Sequence, residues 1–192
     1  MTAADAPHPQ ADFFSAYIDT MHLAMRSIAS DRLESCVSLV EQAHAKGRKV
    51  LVAGNGGSAA MASHVCVDFV KVAGVRAVNF NEADLITCFA NDYGYENWVS
   101  RALEAYADAD DLVILISSSG QSPNMVNAAR FARSRGLQLI TLTGFNQDNP
   151  LRQLGDMNLW VDSNAYNVVE MTHHVWLLAI VDCLAARRGS IG

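Results

Sequence analysis

The sequence predicts a three-layer α-β-α sandwich around a mainly parallel sheet, preceded by two extra N-terminal helices. Three observations predict it. Strand-length apolar runs alternate with stretches of helical apolar spacing along most of the chain. The run Leu112-Val113-Ile114-Leu115-Ile116 carries polar residues on neither face, as a central strand of a parallel sheet requires. Two strand candidates run directly into glycine- or serine-rich turns that open helices, at residues 54–58 and 117–122.

In chain order, residues 1–10 hold two prolines and few apolar side chains and are expected to be a flexible lead-in. A single domain then fills residues 11–192. Residues 13–28 place Phe14, Tyr17, Ile18, Met21 and Met25 at helical spacing, and Ser30-Asp31 offers a cap for a second helix over residues 32–45. Val50-Leu51-Val52-Ala53 is the first strand, and the helix after its glycine turn carries His64 and Asp68. Residues 76–80 give a short strand and residues 82–90 a helix. Asn91-Asp92-Tyr93-Gly94 reads as a turn, with another helix over residues 96–107. The central strand and its serine loop lead to a helix that Gly136 ends. Strands at residues 139–142 and 159–161 follow, around a short helix at 150–154. Residues 163–168 read as loop and residues 169–186 as a closing helix, apolar nearly all round. Such a helix is a core element or part of a subunit interface, and with the apolar first helix it predicts a homo-oligomer.

Composition narrows the function. With 51% hydrophobic and 18% charged residues, the 192-residue chain is expected to be ordered and globular. A net charge of −6 and no basic cluster beyond Arg187-Arg188 argue against nucleic acid. No signal pattern or uninterrupted membrane-spanning run is evident, so the expectation is a cytoplasmic protein without a membrane partner. The cysteines (Cys36, Cys66, Cys88, Cys183) are scattered among apolar residues and read as reduced, mostly buried thiols. Trp98, Trp160 and Trp176 read as core or interface residues.

The two turns carry the chemistry. In Gly54-Asn55-Gly56-Gly57-Ser58 the glycines allow close backbone approach and the helix start offers free N–H groups, a combination suited to an anion. Ser117-Ser118-Ser119-Gly120-Gln121-Ser122 adds hydroxyl donors without Lys or Arg, which fits a compact phosphomonoester. The Gly-Lys-Ser/Thr of a nucleoside-triphosphate loop is missing. The looser dinucleotide pattern at Gly54, Gly56 and Ala59 lacks an acid after the second strand, where Asn79 and Asn81 stand. His64 and Asp68, four apart, share a helix face.

Together with Asn91-Asp92-Tyr93-Gly94, these two turns resemble the SIS (sugar isomerase) domain family, and within it the bacterial phosphoheptose isomerases. The resemblance spans nearly the whole chain. It implies an aldose–ketose isomerase converting sedoheptulose 7-phosphate to D-glycero-D-manno-heptose 7-phosphate through an enediol(ate), for lipopolysaccharide or capsule precursors, in a tetramer. It implies that Ser117, Ser118, Ser119 and Ser122 hold the phosphate, and that Asn55, Gly56, Gly57, Ser58, Asn91 and Asp92 line the sugar site. The family also has a metal-linked quartet. Here His64 matches its first histidine, Asp68 stands for a glutamate and Glu170 for a glutamine. Leu178 occupies the place of the second histidine.

The resemblance therefore makes Asp68, Glu170, His64 and His173 the catalytic candidates, and leaves open zinc held by His64, Asp68 and Glu170. His173 and His174 lie on the closing helix about one turn before Leu178, where either imidazole can substitute. Asp68, one methylene shorter than glutamate, reaches less far as a base. The loss at Leu178 also suits a second reading, a non-catalytic phosphosugar-binding or protein-interaction module of the kind that associates with the bacterial replication initiator. Isomerisation of another ketose phosphate at a metal-free site is a third.

Overall fold

The computed structural model describes residues 9–189. They form α1 (Pro9–Met25), α2 (Ser30–Ala45), β1 (Val50–Gly54), α3 (Gly57–Lys71), β2 (Ala77–Asn79), α4 (Ala83–Tyr93), α5 (Trp98–Tyr106) and β3 (Leu112–Ser117). Then come α6 (Pro123–Ser134), β4 (Gln138–Thr143), a 3-10 helix (Arg152–Leu154), β5 (Met157–Trp160) and α7 (Tyr166–Arg187). The five strands make one sheet in the order β2-β1-β3-β4-β5, parallel at every pairing.

Strand alternation sorts the core into two layers. Val50, Val52, Leu112, Ile114 and Ile116 face the side covered by α2, α3 and α7, where Val40, Val65, Phe69, Trp176 and Ile180 pack. Leu51, Ala53, Val113 and Leu115 face α5 and α6 through Trp98, Leu103, Met125 and Ala129. All of β3 is buried, and each of its aliphatic side chains contributes about 2 kcal/mol by leaving water. Register is pinned at the amino ends of β1 and β3. There the wholly buried Asp111 accepts from Lys49 N (2.9 Å) and Asp108 N (2.8 Å) and pairs with Lys49 Nζ at 2.6 Å.

The two leading helices pack against α7. Trp176 Nε1 donates to Met25 O at 2.9 Å, and Arg187 pairs with both Glu34 and Glu41 of α2.

Several boundaries differ from expectation. Residues 1–8 of the expected lead-in lie outside the described residues, and α1 begins at Pro9. Ser30 is already helical and no side chain caps α2. Asn91, Asp92 and Tyr93 are the last turn of α4 rather than a free turn, and Gly94, at φ +83°, ends it. The closing helix starts at Tyr166, three residues earlier than expected.

By length and mean composition α7 could cross a membrane, although Glu170, His173, His174 and Asp182 interrupt its apolar run. More than half of that apolar window is buried inside the protein, which accounts for its composition. Cys36 and Cys66 are buried, and burial pushes both thiols up to about 12. Cys88, expected among apolar neighbours, is exposed on α4.

Candidate active site

The sheet order determines where a site can form. β1 has β2 on one side and β3 on the other, so the crossovers leave these strands in opposite directions and open a crevice at their carboxyl ends. Gly54 and Ile116 are in register, so the glycine and serine turns emerge at one level. Between them lies a cavity of about 280 Å³. Asn55, Gly56, Gly57 and Ser58 form one wall and Ser117, Ser118, Ser119 and Ser122 another, with Tyr166 and Glu170 of α7 completing it.

The cavity is built for an anion held by neutral donors. No Lys or Arg lines it among the described residues, while α3 and α6 both begin at its edge and direct the positive ends of their dipoles there. Ser118 Oγ is buried and finds no hydrogen-bond partner among the described residues, although an unmet buried hydroxyl costs about 1–3 kcal/mol. Ser117 Oγ donates to Ser122 Oγ at 3.3 Å, and Ser119 Oγ accepts from Gln121 N at 3.2 Å.

The loops are held from behind by residues that the sequence did not single out. Gly120 sits at φ +63°, packed so closely on Asn149 that a Cβ there would collide with the amide. Asn149 is buried, donates to Asn146 O at 2.8 Å and accepts from Arg152 N at 2.8 Å. Asn124, also buried, forms a reciprocal amide pair with Asn55 (3.0 and 2.8 Å), and Tyr95 Oη donates to Asn55 Oδ1 at 3.1 Å. Asn124 follows the serine loop by two residues and Tyr95 follows Gly94. Position beside a motif was the only sequence signal for either.

The catalytic candidates separate. Glu170 is the one carboxylate on the cavity wall among the described residues, and Gly57 makes room for it: a Cβ there would stand 2.8 Å from Glu170 Cδ. His64 and Asp68 lie farther along α3, beside the cavity rather than lining it, with His64 Nε2 3.2 Å from Asp68 Oδ2. The ring that meets His64 is His174, with centroids 4.8 Å apart and planes at 85°. Burial and the neighbouring His64 push the His174 pKa below its ordinary value, with Asp68 acting the other way.

His173 is corrected from a catalytic candidate to a core residue. It is wholly buried, with Nε2 3.0 Å from Thr143 O, and burial pushes its pKa down to about 4. Asn91 and Asp92 are exposed on α4, bonded to each other at 2.8 Å, and do not line this cavity.

The residues present do not fit the family's metal. Among the described residues, no three His, Cys, Asp or Glu side chains converge as a metal-holding group. Leu178 packs against the core where an imidazole is needed. His64 Nε2 lies 3.2 Å from Asp68 Oδ2 on the same helix, and Glu170 lies against Gly57. Zinc held by His64, Asp68 and Glu170 is therefore not supported.

A parallel sheet with an anion-suited crevice at its switch point defines a class, the doubly wound α/β ligand-binding domains. The chain belongs to the SIS domain family, whose pattern matches residues 13–144. It is 35% identical over 165 residues to a phosphoheptose isomerase of Citrifermentans bemidjiense, covering 83% of this chain and 85% of that one. It is 39% identical over 146 residues to a phosphoheptose isomerase of Burkholderia pseudomallei, covering 71% and 74%. Among solved structures, phosphoheptose isomerase from Neisseria gonorrhoeae superposes with a TM-score of 0.83 at 26% identity, covering 92% of this chain and 98% of that one.

Proposed function

We propose that the protein is an aldose–ketose isomerase acting on sedoheptulose 7-phosphate to give D-glycero-D-manno-heptose 7-phosphate, for lipopolysaccharide or capsule precursor synthesis. The observation that carries this reading is the buried Ser118 hydroxyl, unpartnered among the described residues, on a cavity wall that also holds two helix N-termini and a carboxylate. The names of the similar proteins support the substrate class.

In this reading Ser117, Ser118, Ser119 and Ser122 hold the phosphate, and Asn55, Gly56, Gly57 and Ser58 meet the sugar hydroxyls. Glu170 is the base, taking over from Asp68 because it stands on the cavity wall. It removes a proton from C1 of the ketose, and the C–H electron pair becomes the C1–C2 double bond. The carbonyl electron pair moves to the oxygen on C2, which takes a proton. Reversal at the other carbon returns the first proton to C2 and releases one from the oxygen on C1, leaving the aldehyde. Such proton transfer contributes about 10²–10⁴ in rate. In this reading His64 and Asp68, farther along α3, are the groups that protonate the carbonyl oxygen.

The working unit in this reading is a single SIS domain over residues 11–192 in a cytoplasmic homotetramer. Exposed apolar side chains on three helices support assembly: Phe14 and Ile18 on α1, Val67 and Val70 on α3, Val175 on α7. Asn91 and Asp92, exposed and away from their own cavity, face outward to a neighbouring subunit's site.

Proton exchange tests the reading. With sedoheptulose 7-phosphate in D₂O, NMR should show deuterium entering at C1 of the recovered ketose and at C2 of the accumulating aldose. Tight binding without exchange favours instead the non-catalytic binding module, to which Leu178 points. Neither binding nor exchange refutes both.

A further inference from the structure

His174 is a residue to which the reaction as written gives no part, and one of two that the sequence offers in place of the histidine missing at Leu178. Glu170, His174 and Leu178 stand four residues apart on α7 and form one half-buried stripe. The imidazole expected at Leu178 is therefore present on the same stripe, displaced one helical turn toward the cavity. There it meets His64 edge to face at 4.8 Å between centroids, and His64 Nε2 in turn lies 3.2 Å from Asp68 Oδ2. His174 Nε2 is buried and has no hydrogen-bond partner among the described residues, so the ring is lodged in place rather than free in solvent. His173 cannot take this part, because Thr143 O holds it in the core. Leu178 is itself packed against the core.

We infer that His174 replaces the missing histidine as a positioning residue, holding His64 against Asp68 in a cluster that works without a metal ion. The inference rests on the isomerase reading for the reaction it serves, but the cluster itself can be tested independently. A metal site asks each ligand to aim a nitrogen or oxygen lone pair at one point. Here the His64 nitrogen stands 3.2 Å from Asp68 Oδ2, and the His174 ring is set nearly perpendicular to that of His64. The same contacts suit fixing one ring orientation. Asp68 stands beside the His64 nitrogen, and the perpendicular His174 ring limits rotation of the His64 ring about its bond.

The test uses the full-length protein in three forms: wild type, His174→Ala and His174→Gln. Zinc retained after incubation with zinc and dialysis is measured by mass spectrometry, and His64 is followed by ¹⁵N-correlated NMR of its ring. Wild type should retain less than about 0.1 equivalent of zinc, with His64 ring signals unchanged by zinc addition. His174→Ala should shift those ring signals and lower kcat about 100-fold with KM within about twofold, the expected result of a misplaced group that does not bind substrate. His174→Gln, which also guards against misfolding of the alanine variant, should recover part of both. One equivalent of zinc retained by wild type and lost in His174→Ala overturns the inference, as do His64 signals indifferent to position 174. If wild type exchanges no substrate proton, the isomerase reading fails, while zinc content and the His64 signals still decide the cluster.

Discussion

Lowering the pH from about 7 to about 5 should remove about 2 kcal/mol of folding stability through one side chain, His173. Its ring is wholly buried, and the carbonyl of Thr143 at 3.0 Å requires the proton on Nε2. Nδ1 has no partner among the described residues, so a second proton there would bring a charge into the core with nothing to receive it. Burial outweighs the Thr143 hydrogen bond and pushes the pKa down to about 4. The unfolded chain keeps the ordinary histidine value of about 6.5. Between these two values the unfolded state binds a proton that the folded state refuses. Stability from this group is therefore complete above about pH 6.5 and falls on acidification toward pH 4. The full difference is about 3 kcal/mol, and about 2 kcal/mol of it is gone by pH 5.

Urea denaturation followed by tryptophan fluorescence, at both pH values, measures this on wild type and His173→Gln. Glutamine keeps a donor for Thr143 O and does not titrate, so carboxylate effects common to both proteins cancel in the comparison. Wild type should lose about 2 kcal/mol more than the variant. Equal losses would refute the buried neutral histidine.

Three further outcomes follow from the same geometry. Gly120→Ala adds left-handed strain of about 1–2 kcal/mol and displaces the hydrogen-bonded Asn149 amide. Denaturation should show a loss of about 2–4 kcal/mol, and calorimetry with inorganic phosphate a weakened affinity. Asp111→Ala leaves two backbone N–H groups without their acceptor and reduces the mostly buried Lys49 ammonium to its pairing with Asp108 at 2.7 Å. It should cost about 3 kcal/mol by urea titration without touching the cavity at the opposite end of the sheet. Asn124→Ala removes the amide that holds Asn55, and should raise KM several-fold in the isomerase assay while phosphate alone binds as before.

Elements with strong local patterning were readable in one dimension. The five aliphatic residues that open β3 and the turns on either side of the crevice carry their structure in local composition, because a buried parallel strand needs apolar side chains on both faces. Residues 91–93 misled because Asn and Asp favour turns by their own backbone hydrogen bonds, and the neighbouring apolar helix overrode that preference until Gly94. Asn124, Asn149 and Tyr95 escaped notice because single polar residues have no periodicity. Their importance comes from what stands opposite them.

The sequence by itself determined the layer architecture, the parallel sheet, the glycine- and serine-rich turns that line the crevice and the leucine at position 178. It could do so because strand burial, turn chemistry and residue identity are local properties. Only the tertiary structure decided between the adjacent histidines. Neighbours on a helix point about 100° apart, and which direction meets the core and which meets another helix depends on how α7 is seated. That seating buries His173 beneath Thr143 and brings His174 against His64. It also leaves Glu170, one turn earlier, as the carboxylate on the cavity wall.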